Sequence, residues 1–267
     1  MKRALSFLML AARSCLWKVL LLSALTAAGQ VLCFRLYLSG QDMPETWTYI
    51  RSLVTDARLP LLFAAGLVLL CVALALFGME GSSSRLGYTL RRLTLDERYI
   101  TLLFALHHFL CLLIFWGFQA GAALLVYREY LNWLPPGTDG GQSALLAFYH
   151  SPFLHALLPL EDWPVWVRNL LLFAALALSA AACSYHWRHG RKSFAVLPFS
   201  ALFGAAFPVE TGAFSLPGPN GPTQADFPGL YNWYVSDGMA AWFILLLILT
   251  DLGATLYYLI RRADDDA

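Results

Sequence analysis

Six apolar stretches dominate this chain, and most of them are about as long as a bilayer is thick. They run over residues 17–38, 59–78, 99–126, 165–185, 193–208 and 238–260. A hydrocarbon core about 30 Å thick needs about 20 apolar residues in a helix. Five of the six reach that length, and 193–208 is short. The expected fold is an all-α bundle of six membrane spans forming a single transmembrane domain over residues 1–267. Only 13% of the residues are charged and 59% are hydrophobic. Soluble domains carry about 25% charged residues, so little of this chain is left to build one. The net charge of +1 gives no reason to expect a nucleic-acid partner.

Lysine and arginine sort by side. Lys2, Arg3, Arg13 and Lys18 precede or open the first span, and Arg85, Arg91, Arg92 and Arg98 follow the second. Arg188, Arg191 and Lys192 follow the fourth, and Arg261 and Arg262 follow the sixth. The opposite side holds Arg35, Arg51, Arg58, Arg128 and Arg168. The positive-inside rule therefore puts both termini in the cytoplasm of a cell-membrane protein, with 193–208 as a true crossing. Trp133, Trp163, Trp166, Trp233 and Trp242 mark the outer interface, and Trp17 and Trp187 the inner one. The outer loops are acidic, as soluble loops or a cation-attracting vestibule would be.

Residues 4–15 read as an interfacial helix on the cytoplasmic leaflet, because Lys2, Ser6 and Arg13 fall within about 40° on a helical wheel. An extended first span is the other reading. No small-residue cleavage pattern makes this a signal peptide. Outer residues 144–160, with His150 and His155, suggest a second interfacial helix broken at Pro152. The outer loop 209–237 is rich in proline and aromatic residues, which excludes long helices there.

The segment between the second and third spans carries the most information. Gly81–Ser84 break the preceding helix, and Leu86, Leu90 and Leu93 then recur at helical spacing beside Arg91 and Arg92. Thr94 and Glu97 form a capping box that opens the third span. Taken alone, this is a short basic amphipathic helix under the bilayer, which arginines could simply anchor to lipid. Leu90-Arg91-Arg92-Leu93-Thr94 followed by Asp96-Glu97-Arg98 resembles the permease subunits of type-2 ATP-binding-cassette exporters. Thr94 and Asp96 stand where that family often has Pro and Ser. The resemblance implies a coupling helix built from Arg85, Leu86, Tyr88, Leu90, Arg91, Arg92, Leu93, Asp96, Glu97 and Arg98. It further implies a separate cytoplasmic ATPase carrying ATP and Mg, and a homodimer or a heterodimer with a similar permease. The cargo it implies is hydrophobic or amphipathic, and the loop 209–237 would pack over the outer mouth of the path.

Inside the spans stand Gln30, His107, His108, Gln119 and Asp251. Intramembrane polar groups are costly and often functional. Asp251 lies ten residues before Arg261, and the histidines nine and ten after Arg98, so all three share a depth of about 15 Å from the inner end. A pairing of Asp251 with one histidine across spans three and six is expected. It would be a structural link or a proton relay. Adjacent histidines point about 100° apart, so they cannot form an i, i+4 metal pair. Haem would need a further histidine at matching depth in another span, and the remaining four lie in loops. The five cysteines sit in or beside spans and contain no C-x-x-C pair, which gives neither a disulfide framework nor a zinc site. The chain contains no H-E-x-x-H, G-x-S-x-G or phosphate-loop motif, so no catalytic centre, cofactor or metal is expected in it. Two other functions fit the same spans: a non-transporting assembly or immunity protein, and a proton-coupled carrier using Asp251 with His107 or His108.

Overall fold

The computed structural model describes residues 2–41, 50–77, 97–134, 148, 151–160, 163–188, 194 and 196–207, with parts of 246–257. The elements named for these residues are all α-helices: α1 (Lys2–Ser39), α2 (Ile50–Asp56), α3 (Leu59–Phe77), α4 (Glu97–Trp133), α5 (Pro152–Leu157), α6 (Trp163–Arg188) and α7 (Val196–Ala206). Four helical segments are long and apolar enough to cross a membrane: Cys15–Ser39, Leu59–Leu76, Tyr99–Trp133 and Val165–Trp187. The chain is thus a helical, multi-pass membrane protein in its coarse architecture.

Helix α1 differs from the sequence expectation. It runs unbroken for 38 residues through the boundary at which an interfacial helix was expected to give way to a span. No proline or glycine lies between residues 2 and 28, so nothing there interrupts the hydrogen-bond ladder. At 1.5 Å per residue it measures about 57 Å, nearly twice the hydrocarbon thickness. Helix α4, at 37 residues, is almost as long.

These two long helices lie side by side and parallel. The Gln119 side chain donates to the Ser23 carbonyl 96 positions earlier (3.5 Å), and the Cys15 thiol meets Cys111 at the same offset. Helix α6 runs the other way along α4: Trp116 stacks near Trp166 and Phe173, whereas His108 faces the Ala177 backbone. Helix α3 follows α6. Its Ala75 carbonyl accepts from the Ser184 hydroxyl (2.8 Å), and its Phe63 shares Phe207 with Phe173. Directions alternate as successive crossings require. The first turn of α1, the last of α3, the first of α4 and the last of α6 therefore lie at one end of the bundle.

Helix α7 packs on α3 and α6 but is only 11 residues long, about 16 Å. That is half of a crossing. It starts at Val196, beside Cys183 of α6, and ends in the bundle at Phe207 just before Pro208, which cannot continue a hydrogen-bonded helix. The expected fifth span, 193–208, is represented by this half-length helix. Of the expected sixth span, 238–260, the described residues between 246 and 257 are helical.

Close contact between α3 and its neighbours depends on glycine. A Cβ at Gly66 would collide with the Thr26 methyl of α1, and one at Gly204 would come within 2.9 Å of Ala64 Cβ. Small residues at such crossings let membrane helices approach where lipid gives no hydrophobic push between them.

Candidate functional site

The polar residues expected inside the spans are buried. Gln30 is 2% exposed, His107 4%, His108 0%, Gln119 0% and Asp251 2%. They do not converge on one site. Gln119 turns to α1 through the Ser23 carbonyl, whereas His108 turns to α6 at Ala177. The shared face that places His108 and Gln119 eleven residues apart on α4 therefore meets two different neighbours along its length.

Asp251 also meets α6, through the Ser179 side chain, two positions from Ala177. The expected common depth of Asp251 and His108 is consistent with that placement. A direct bond between them is not formed: both ring nitrogens of His108, and Oδ2 of Asp251, lack a hydrogen-bond partner. Ser23 Oγ, Gln30 Nε2 and Gln119 Oε1 are unpartnered as well. Unsatisfied buried polar atoms cost roughly 1–3 kcal/mol each, and more where no water can reach. Interior water would relieve that cost.

His107 takes a different partner. Its Nε2 lies 3.7 Å from the Cys111 Sγ one turn on, and Cys15 of α1 joins the same group. All five cysteines are free thiols. Among the described residues, no group of three or more His, Cys, Asp and Glu side chains has the geometry to hold a metal ion.

A site that sequence reasoning missed lies at the opposite end of the bundle. Arg168, counted above among outer-loop charges, is 5% exposed. Its guanidinium donates to the Phe207 carbonyl at the end of α7 (3.2 Å) and to Asn169 Oδ1 (2.9 Å). It also lies over the Phe207 ring, 5.9 Å from the centroid. A cation at a helix C-terminus satisfies orphan carbonyls and opposes the negative end of the dipole. Asn169 completes the link, donating to the Ala156 carbonyl of α5 (2.7 Å). The available signal was position: Arg168 stands three residues inside the apolar run 165–185, too deep for an ordinary loop charge.

Helix α5 closes this end. Phe153, Leu154, Ala156 and Leu157 are all buried, so Pro152 begins a six-residue helix packed into the bundle, where an interfacial helix was expected. Pro at the first turn loses no intrahelical bond, which suits it to begin a helix. Phe153 packs edge-on to Phe63, and Trp116 Nε1 donates to the Leu157 carbonyl (2.9 Å). The result is an aromatic plug of Phe63, Phe115, Trp116, Phe153, Phe173 and Phe207.

Of the expected coupling segment, Arg85, Leu86, Tyr88, Leu90, Arg91, Arg92, Leu93 and Asp96 lie outside the described residues, as does the loop 209–237. Glu97 and Arg98 form the first turn of α4. No family model matches the chain, and neither a curated protein nor a solved structure matches it.

Proposed function

We propose that this chain is the permease subunit of a type-2 ATP-binding-cassette exporter, moving a hydrophobic or amphipathic substrate across the cell membrane as a dimer. The supporting observation is that the helix ends flanking residues 78–96 lie at the same end of the bundle as the start of α1 and the end of α6. The helix segments at that end carry Lys2, Arg3, Arg13, Arg98 and Arg188. The positive-inside rule makes it cytoplasmic, where an ATPase could dock. In this reading residues 85–98 receive the motion of the motor. Helices α1 and α4, which exceed the bilayer's thickness, transmit it along their length. ATP and Mg belong to the partner subunit. The test is purification of the tagged full chain from its native membranes. A co-purifying subunit with a phosphate loop, and ATP hydrolysis in the eluate, is the expected result. A pure chain without hydrolysis would contradict the proposal.

One observation favours a second reading, a proton-coupled carrier. Asp251 is buried with an unpartnered carboxylate oxygen. An intramembrane carboxyl of this kind suits a proton relay. In the carrier reading Asp251→Asn abolishes transport while assembly survives. In the exporter reading the amide, of the same shape, leaves ATP-driven transport within about twofold of the parent.

A further inference from the structure

Helices α1 and α4 enclose between them an open groove of about 980 Å³. Its floor is small: Ala24, Ala27 and Ala28 on α1 face Gly117, Gly121 and Ala122 on α4. Nothing lies within 4 Å of where a Cβ would stand on Gly117 or Gly121. Leu32 on α1 and Ile114, Phe118 and Leu125 on α4 form its walls, and the exposed surfaces beyond it carry large side chains such as Leu21 and Leu25 on α1 and Leu106 and Leu110 on α4. Large apolar residues are what lipid-facing surface tolerates, whereas small ones permit another helix to approach. The helices that form the groove are the less covered ones: 22% of the α1 span and 44% of the α4 span are buried inside the protein, against 72% of the α6 span.

The groove ends in charge. Arg35 and Glu129 both line it, and among the described residues neither makes an ion pair or hydrogen bond. The 96-residue offset between the parallel helices places Arg35 level with residue 131, about one half-turn from Glu129. The two opposite charges thus lie at nearly one depth. A two-fold axis normal to the membrane preserves depth, and an isologous interface presents the same patch from both copies. Under that axis Arg35 of each copy meets Glu129 of the other, and the small floors come together.

We infer that this groove is the homodimer face, with α4 packing on α4 of a second copy across Gly117 and Gly121 and two Arg35–Glu129 pairs closing the interface. The inference rests on the dimeric exporter reading for its partner, but it involves no ATPase. The experiment measures dimerisation of the purified full chain in nanodiscs and liposomes by single-molecule photobleaching, with native mass spectrometry to detect bound phospholipid. Arg35→Glu and Glu129→Arg should each weaken the dimer about tenfold or more. The double variant Arg35→Glu/Glu129→Arg should restore it, which also controls for folding. Gly121→Leu should weaken it without rescue by the charge swap. A dimer indifferent to both single reversals overturns the inference, as does loss in all three charge variants. A monomer that retains a phospholipid, lost on Arg35→Glu, assigns the groove to lipid and overturns it too. Failure to capture an ATPase bears on the exporter reading and leaves these outcomes unchanged.

Discussion

Asn169 holds three elements together with one amide. Its Oδ1 accepts from Arg168 and its Nδ2 donates to α5, while Arg168 reaches on to α7. Replacing it by leucine of similar volume leaves the Ala156 carbonyl without its donor and removes an acceptor from a buried cation. Asn169→Leu should cost about 3 kcal/mol, read as a drop in unfolding midpoint in detergent. Asn169→Asp keeps the acceptor and adds an opposite charge, so its loss should be clearly smaller. Equal losses would put the weight on the bond to the Ala156 carbonyl, which both variants lose. The residue scale is where the sequence was least legible. Hydropathy marks Gln30, His107, His108, Gln119 and Asp251 as misfits because they interrupt apolar runs. It cannot say which neighbour each one faces. Arg168 escaped because counting charges by loop assigns it to water, although its position inside the run 165–185 argued otherwise.

At the scale of elements, hydropathy located α3 and α6 within a few residues and the start of α4 within two, because in lipid only a helix satisfies its own backbone, but α4 runs seven residues past the expected end at 126. The helices described at α1 and α7 depart from the hydropathy reading in opposite ways. No breaker separates the polar start of α1 from its span, so the helix continues. The run 193–208 is apolar enough to cross but is helical over Val196–Ala206, about half the distance. Helix α5 was misplaced because a short amphipathic segment reads alike whether it rests on lipid or on protein. Two substitutions test these elements. Arg58, between α2 and α3, has a φ of 55°, where a side chain is strained and glycine is not. Its N–H closes the α2 terminus onto the Thr55 carbonyl (2.9 Å). Arg58→Gly should therefore raise stability by about 1 kcal/mol in the same unfolding assay. Gly66→Ala should lower it by about 1–3 kcal/mol, because Thr26 must move. Adding Thr26→Ala should recover part of that loss. An unchanged midpoint for Gly66→Ala would show that α1 and α3 are not in close contact there.

For the whole molecule, the order of crossings follows from side-chain pairs alone. Ser23 with Gln119, Trp116 with Phe173, and Ala75 with Ser184 fix four helices in alternating directions. Charge sorting along the sequence points to the same grouping of ends, by physics that does not involve packing. What sequence could not supply is the asymmetry between the two ends. One is plugged by aromatic rings and tied by Arg168, whereas the other holds the start of α1, the end of α3, the start of α4 and the end of α6. The proposed drive from a separate ATPase is tested most directly by contact. A photo-crosslinking amino acid placed at Tyr88 or Arg92 of the full chain, activated in native membranes, should join a nucleotide-binding subunit. The yield should change at least severalfold between ATP-bound and nucleotide-free conditions, and Arg91→Glu with Arg92→Glu should abolish it. Crosslinks to lipid alone, from a chain still fully active in its membrane, would contradict the account.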